Sequence, residues 1–310
     1  MWRSCFTRLS PFVALLTLFA GRVSAHPSSG IVVDEKGNVF VADINTGLWK
    51  IDTEGKLTHI HKEAGHWLAL DAEGSFAGVD FTKSDHWPRW FKRRTPDGAK
   101  PALITDGGSP LVVLRDGNLY YVSTGGENRK PGGLELTRLS PDGKLKSFAP
   151  ELGKISEKLS GIKGLASGPD GSMYVTFPKA VHKITADGKV TAVAESVQVA
   201  DGDKDIFEGT PKDELPNLRG LAVDARGTVY AAATGCRRVV KITAAGKVET
   251  VLKAERPWSP TGIAVQGDAI YVLEYPNQMD EKREEWVPRV RKLGRDGKVT
   301  TLVTFPKKDR

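Results

Sequence analysis

A segment that recurs six times along the chain constrains its fold more than any other feature. The cleanest copy spans 220–252, GLAVDARGTVYAAATGCRRVVKITAAGKVETVL. It holds four short runs, Leu221–Val223, Thr228–Ala232, Val239–Ile242 and Val248–Leu252, separated by Ala225-Arg226-Gly227, Thr234-Gly235-Cys236 and Ala245-Gly246-Lys247. Runs rich in Val, Ile and Tyr, bounded by Gly-containing turns, read as strands of an antiparallel meander. One such unit leaves its faces uncovered, so copies must stack on one another.

The other copies follow by alignment. The first is Gly30–Ile60, the second starts at Trp67, the third near Pro110, the fourth at Gly164 and the sixth at Gly262. The third run of each copy carries a base in the same register: Lys50, Arg93, Arg138, Lys183, Lys241 and Lys292. Five of these precede Ile or Leu; the second copy, with Arg94 there, is degenerate. Six four-stranded units of about 40–50 residues predict an all-β fold, a six-bladed β-propeller of four-stranded antiparallel blades. The blades are expected at roughly 30–62, 66–106, 109–150, 163–196, 219–253 and 261–305 within a single domain, 26–310. A chain that begins on a first strand and ends on a fourth predicts ring closure without a swapped strand.

The repeat pattern G-[LI]-x-V-D…G-x-V-[YF]-V-A, followed by [VL]-x-[KR]-[IL]-x-x-x-G-K, resembles NHL-repeat proteins and the related SMP-30/gluconolactonase-like propellers over essentially the whole chain after residue 25. The resemblance implies the fold and leaves activity open, because such propellers serve as scaffolds, hydrolases and lyases alike.

Residues 1–25 read as a secretory signal peptide. Arg3 and Arg8 form a positive start, Pro11–Gly21 is a short apolar run, and Val23-Ser24-Ala25 offers small residues for cleavage after Ala25. The expected location is therefore secreted or periplasmic, and the apolar run is too short to leave a membrane span. Loss of Arg3, Arg8 and Arg22, with no acid lost, lowers the formal charge from +7 to +4. That modest excess argues against a nucleic-acid partner. Cys5 leaves with the signal, so Cys236 stands alone, cannot form an internal disulfide and is read as a packed thiol.

Propeller connections alternate between two faces. The first-to-second and third-to-fourth turns are uniformly short, as at Glu35–Gly37, Asp187-Gly188 and Asp296-Gly297. The opposite face carries the long connections Thr82–Arg89, Thr124–Gly133, Pro150–Gly161, Ser196–Leu218, Lys253–Pro260 and Pro276–Arg289. Long loops gathered on one face of a regular scaffold usually carry function. Trp67, Trp87, Trp90, Trp258 and Trp286 fall in or beside them, either as packing that holds the loops or as ligand anchors.

The residues just before each first strand should line the funnel on that face: Ser29, His66, Ser109, Lys163, Arg219 and Thr261. Three hydroxyls and three basic groups suit an anion such as a carboxylate or phosphate ester, unless the bases pair with the acidic loop Asp201–Glu214. With Trp67 and Trp258 they form the expected ligand-binding set, for a small anionic molecule, a glycan or a protein partner. At the ends of the second strands lie Asp43, Asp80, Ser123, Phe177, Ala233 and Glu274. The carboxylates there either cap turns or act as general acid and base. A lactonase or esterase, the alternative that the family resemblance brings, would use Glu274 or Asp43 as base and His66 with Arg219 to stabilise an oxyanion.

Metal readings are weaker. Calcium is conceivable from the resemblance, in which Glu and Asn or Asp hold the axial ion. This chain offers Lys163, Arg219 and His66 at funnel positions, so no metal ligand is assigned and no cofactor is expected. Asp201, Asp203 and Asp205 mimic half of an EF-hand loop but Ile206 and Lys212 break it. His59, His61 and His66 fall on an outer and an inner strand, too far apart to converge, and His26 at the expected mature terminus lacks an obvious partner. No Gly-rich phosphate loop or nucleophile-elbow Ser is present.

Overall fold

The computed structural model describes residues 27–63, 65–81, 91–95, 101–106, 111–113, 116–123, 135–200, 215–276 and 286–307. These form six sheets. Blade one comprises β1 (Ile31–Val33), β2 (Val39–Asp43), β3 (Gly47–Ile51) and β4 (Leu57–His61). Blade two comprises β5 (Trp67–Asp71), β6 (Lys92–Arg94) and β7 (Ala102–Asp106), and blade three β8 (Leu111–Val113), β9 (Leu119–Ser123), β10 (Glu135–Leu139) and β11 (Leu145–Phe148). Helix α1 (Glu151–Lys158) then leads to blade four: β12 (Gly164–Ser167), β13 (Met173–Thr176), β14 (Val181–Ile184) and β15 (Val190–Ala194). Blade five is β16 (Leu218–Val223), β17 (Val229–Ala233), β18 (Arg238–Ile242) and β19 (Val248–Lys253). Blade six is β20 (Trp258–Gln266), β21 (Ala269–Pro276), β22 (Arg289–Leu293) and β23 (Val299–Thr304). The first strands pack side by side in a closed ring, β1 against β20 as well as against β5. Each blade is continuous in sequence, so no strand is exchanged at closure.

Strand side chains alternate between two faces, and here each face meets a different neighbouring blade. Leu273 and Tyr275 pack on Ile31, Val39 and Val41 of blade one, while Ile270 and Val272 pack on Ala232 and Val239 of blade five. Six buried clusters result, one at each seam between blades. The core is thus a ring of interfaces, and both faces of a blade must be apolar.

The recurring sequence signs have physical causes. The Asp that ends the first strand motif closes the following turn: Asp34 accepts the Asn38 amide at 2.8 Å, and Asp224 accepts those of Thr228 at 2.8 Å and Arg226 at 2.9 Å. The recurring base lies directly across the ladder from an aromatic ring, in the pairs Phe40–Lys50, Tyr120–Arg138, Tyr174–Lys183, Tyr230–Lys241 and Tyr271–Lys292. Its alkyl stem covers the ring while its charge reaches an acid, as Lys183 does at 2.7 Å from Asp170 and Lys241 at 2.7 Å from Glu249. The motif glycines mark where neighbouring first strands nearly touch. A Cβ at Gly262 would stand 2.5 Å from the Ser29 carbonyl oxygen, and one at Gly164 2.5 Å from that of Arg219.

Blade two departs from the expected pattern. Its sheet has three strands in the order β5-β7-β6, so β7 takes the place beside the inner strand, and residues 75–78 form a turn instead of a second strand. The cause is local. Asp71 accepts the amides of Ser75 at 2.8 Å and Phe76 at 3.0 Å, which winds the chain back and drops Phe76 into a cluster with Phe81, Phe91 and Tyr121.

Candidate functional site

The six inner strands enclose a central channel with a cavity of about 270 Å³. Its wall is drawn from β1, β5, β12, β16 and β20, running from Ser29 and Trp67 at the long-loop mouth to Val33, Leu70, Val223 and Val265 at the short-turn end. The mouth is held together by hydroxyl groups that bridge consecutive blades. Ser28 Oγ donates to the His66 carbonyl at 2.8 Å, Thr176 Oγ1 to that of Arg219 at 2.7 Å, and Thr234 Oγ1 to that of Pro260 at 2.7 Å. These bonds fix the main chain beneath the funnel residues.

Backbone irregularities present two of those residues. The β16–β17 register shifts between Leu218 and Leu221, the stretch containing Arg219, and the β20–β21 register shifts between Pro260 and Gly262, bracketing Thr261. Bulges of this kind re-aim side chains at sheet ends. Ser29 is buried beside the His66 carbonyl, to which its amide donates at 3.2 Å, and it lines the channel with half-buried Trp67. His66 is half-buried; burial first, and then the charge of Arg219, holds its imidazole below the usual 6.5. Arg219 of blade five and His66 of blade two belong to blades on opposite sides of the ring. Lys163 precedes β12 and stands beside Arg219 through Thr176, whose carbonyl accepts the Lys163 amide at 2.8 Å. Of the six funnel positions Ser29 lines the cavity, His66 and Lys163 immediately precede β5 and β12, Arg219 and Thr261 lie within β16 and β20, and Ser109 lies outside the described residues. Thr261 is fully buried, with its hydroxyl 3.4 Å from the Leu273 carbonyl, and does not contribute to the cavity wall.

The second-strand carboxylates are occupied otherwise. Asp43 Oδ2 accepts the Asn45 and Thr46 amides and the Thr46 hydroxyl at 2.5 Å, while Oδ1 accepts the Tyr275 hydroxyl at 2.7 Å. It closes a turn and ties blade one to blade six. Glu274 is fully buried and shares its oxygens between Arg289 Nε at 2.7 Å and Arg291 at 2.6 Å. That arrangement is a buried ion triplet within blade six, and both oxygens of each carboxylate are engaged by these partners. Sequence reasoning missed Arg289 and Arg291, whose only sign was an Arg-x-Arg on the strand that follows Glu274.

Trp258 supports the Arg289 guanidinium, 4.3 Å from its ring, and does not line the channel. Trp286 is buried in the seam between blades six and one; Trp87, Trp90, Asp201, Asp203 and Asp205 lie outside the described residues. His59 stacks on Trp49 at 4.2 Å and meets the Thr46 carbonyl at 2.7 Å, and His61 accepts the Glu63 amide, so neither approaches His66. Among the described residues no group of three His, Cys, Asp or Glu could hold a metal ion. Cys236 is buried in the seam between blades four and five. No helix among the described residues is long and apolar enough to cross a membrane.

No protein-family model matches the chain, and no curated protein matches it in sequence. Solved structures do match in shape. A gluconolactonase from Xanthomonas campestris aligns with TM-score 0.51 at 16% identity, covering 80% of this chain and 83% of its own. A luciferin-regenerating enzyme aligns with TM-score 0.50 at 17% identity, covering 83% and 86%. Virginiamycin B lyase from Staphylococcus aureus covers 92% of this chain and 85% of its own at 16% identity, with TM-score 0.48. At such identities the likeness concerns fold alone. The chain is a six-bladed β-propeller, similar in architecture to the gluconolactonase-like propellers.

Proposed function

We propose that this protein is an exported propeller that binds a small anionic molecule at the long-loop mouth of its central channel. The observation that supports the reading is that His66, Lys163 and Arg219 sit at the same end of the inner strands of three different blades as Ser29, which lines the channel. A guanidinium and an ammonium on adjacent blades at one end of the channel suit a carboxylate or phosphate ester. Export follows from reading residues 1–25 as a cleaved signal peptide.

The test is thermal shift of the purified protein in phosphate, citrate and gluconate. The reading expects a rise in melting temperature that Lys163→Ala and Arg219→Ala each weaken; indifference of the parent protein to all three anions removes it. A second reading, lactone or ester hydrolysis, is favoured by one feature: burial holds the His66 imidazole below its usual 6.5, as a general base at neutral pH requires. It expects turnover of a lactone or ester panel that His66→Ala abolishes in a protein that remains folded, and an inert panel removes it.

A further inference from the structure

Blade four departs from the repeat at one buried position. At the last position of the G-x-V-[YF]-V-A pattern, where blades one and five carry Ala42 and Ala232, blade four carries Thr176. Thr176 is fully buried at the end of β13, directly across the ladder from Gly164. A buried hydroxyl needs a partner, and this one donates to the Arg219 carbonyl of blade five at 2.7 Å. The carbonyl of Thr176 in turn accepts the Lys163 amide at 2.8 Å. Gly164 leaves room for the arrangement: a Cβ there would stand 2.8 Å from Thr176 Oγ1 and 2.5 Å from the Arg219 carbonyl oxygen. In blade one the matching glycine, Gly30, faces Ala42 Cβ and the His66 carbonyl, and Ser28 supplies the bond to that carbonyl instead. Of Ser28, Thr176 and Thr234, whose hydroxyls bridge blades, Thr176 alone bonds the main chain of two basic funnel positions.

Resting on the anion-binding reading, we propose that Thr176 is the positioning residue of a two-blade anion subsite, in which Lys163 of blade four and Arg219 of blade five hold the same anion. No strand ladder crosses the seam between these blades. Thr176 ties the main-chain origins of both cationic side chains to one rigid, buried point on it. A binding constellation keeps its geometry through supporting hydrogen bonds of this kind. An ammonium point charge and a planar guanidinium together suit an anion with several oxygens.

Isothermal titration of the purified protein with citrate, and with phosphate as a second probe, tests this. In the parent protein Lys163→Ala and Arg219→Ala are expected to be coupled, the double variant losing less affinity than the product of the single losses. Thr176→Val keeps the shape and removes the hydroxyl. It is expected to weaken anion binding about three- to tenfold, the worth of one hydrogen bond, and to make the Lys163 and Arg219 losses independent. Thr176→Ser is expected to restore parent affinity and coupling. Independent losses in the parent would overturn the shared subsite, whether or not Thr176→Val folds. A Thr176→Val protein that melts lower yet keeps parent affinity and coupling would make Thr176 a packing residue only and overturn its positioning role, as would a serine variant that binds no better than the valine one. Failure of the parent to bind either anion would overturn the anion-binding reading itself, and this inference with it.

Discussion

Gly262→Ala tests whether contact between first strands sets the geometry of the ring. An added Cβ would sit 2.5 Å from the Ser29 carbonyl oxygen and 3.0 Å from both the Ser29 carbonyl carbon and Ile31 Cγ2. Two of those atoms belong to the backbone of β1's lead-in, so no side-chain rotation relieves the clash. Reaching an ordinary contact of 3.4 Å requires blades six and one to part by about 0.9 Å where Gln266 also bonds the Asp34 carbonyl at 2.7 Å. Overpacking of this kind costs about 1–3 kcal/mol. For a domain of this size that amounts to a melting temperature lower by about 2–12 °C. Circular dichroism melting of Gly262→Ala beside Gly78→Ala is the assay, because a Cβ at Gly78 meets nothing within 4 Å. Equal melting temperatures for the two variants would refute the argument that the motif glycine is required for close approach.

Glu274→Ala strands the Arg289 and Arg291 guanidinium groups, which are only 16% and 11% exposed. Loss of one partner of a buried ion group costs about 3–5 kcal/mol, so urea denaturation should show a large drop; a neutral result would mean that the arginines find other partners. Tyr275→Phe leaves buried Asp43 Oδ1 without its hydroxyl donor, and a loss of about 1–3 kcal/mol is expected from the same measurement; an unchanged midpoint would show that this tie between blades is dispensable. Burial holds His66 and His182 below 6.5, reinforced by Arg219 for His66 and opposed by Glu195 for His182. Between those lowered values and 6.5 the unfolded chain binds more protons than the folded one, so stability rises with pH across that window and is lost as pH falls through it. Melting from about pH 7 to about pH 5 should therefore decline less steeply in the His66→Gln/His182→Gln double variant; parallel curves would refute the assignment.

The blades were legible in the sequence because five of the six repeat the same local demands: a β-rich run, a tight turn closed by Asp or Gly, and a base whose stem covers an aromatic ring. The significance of that base emerged only with the ladder, since Tyr174 and Lys183 belong to different strands whose pairing no local pattern states. Blade two escaped because residues 75–78 still resemble a strand in composition, while the two amides held by Asp71 decide the matter. The placing of the funnel residues along the inner strands was legible because they keep a constant offset from the motif glycine. The roles of Asp43 and Glu274 were not: the partner of Asp43 lies 232 residues away in sequence, and Glu274 meets its arginines only after a long connection folds back. A carboxylate at a strand end reads the same whether it faces ligand or neighbour, and the neighbour here is remote.

Closure without an exchanged strand makes the seam between blades six and one differ from the other five, which a chain connection also crosses. No ladder hydrogen bond crosses it; it is held by Tyr275 on Asp43, Gln266 on Asp34 and Glu35, and the edge-on packing of Phe305 against Trp49. The ring can therefore part there while every sheet stays intact, as a clasp opens without tearing the band. Amide exchange through such an opening would leave the strand ladders of β1 and β20 protected and expose the turn at Asp34–Asn38 instead, giving the propeller a breathing mode that belongs to side chains alone.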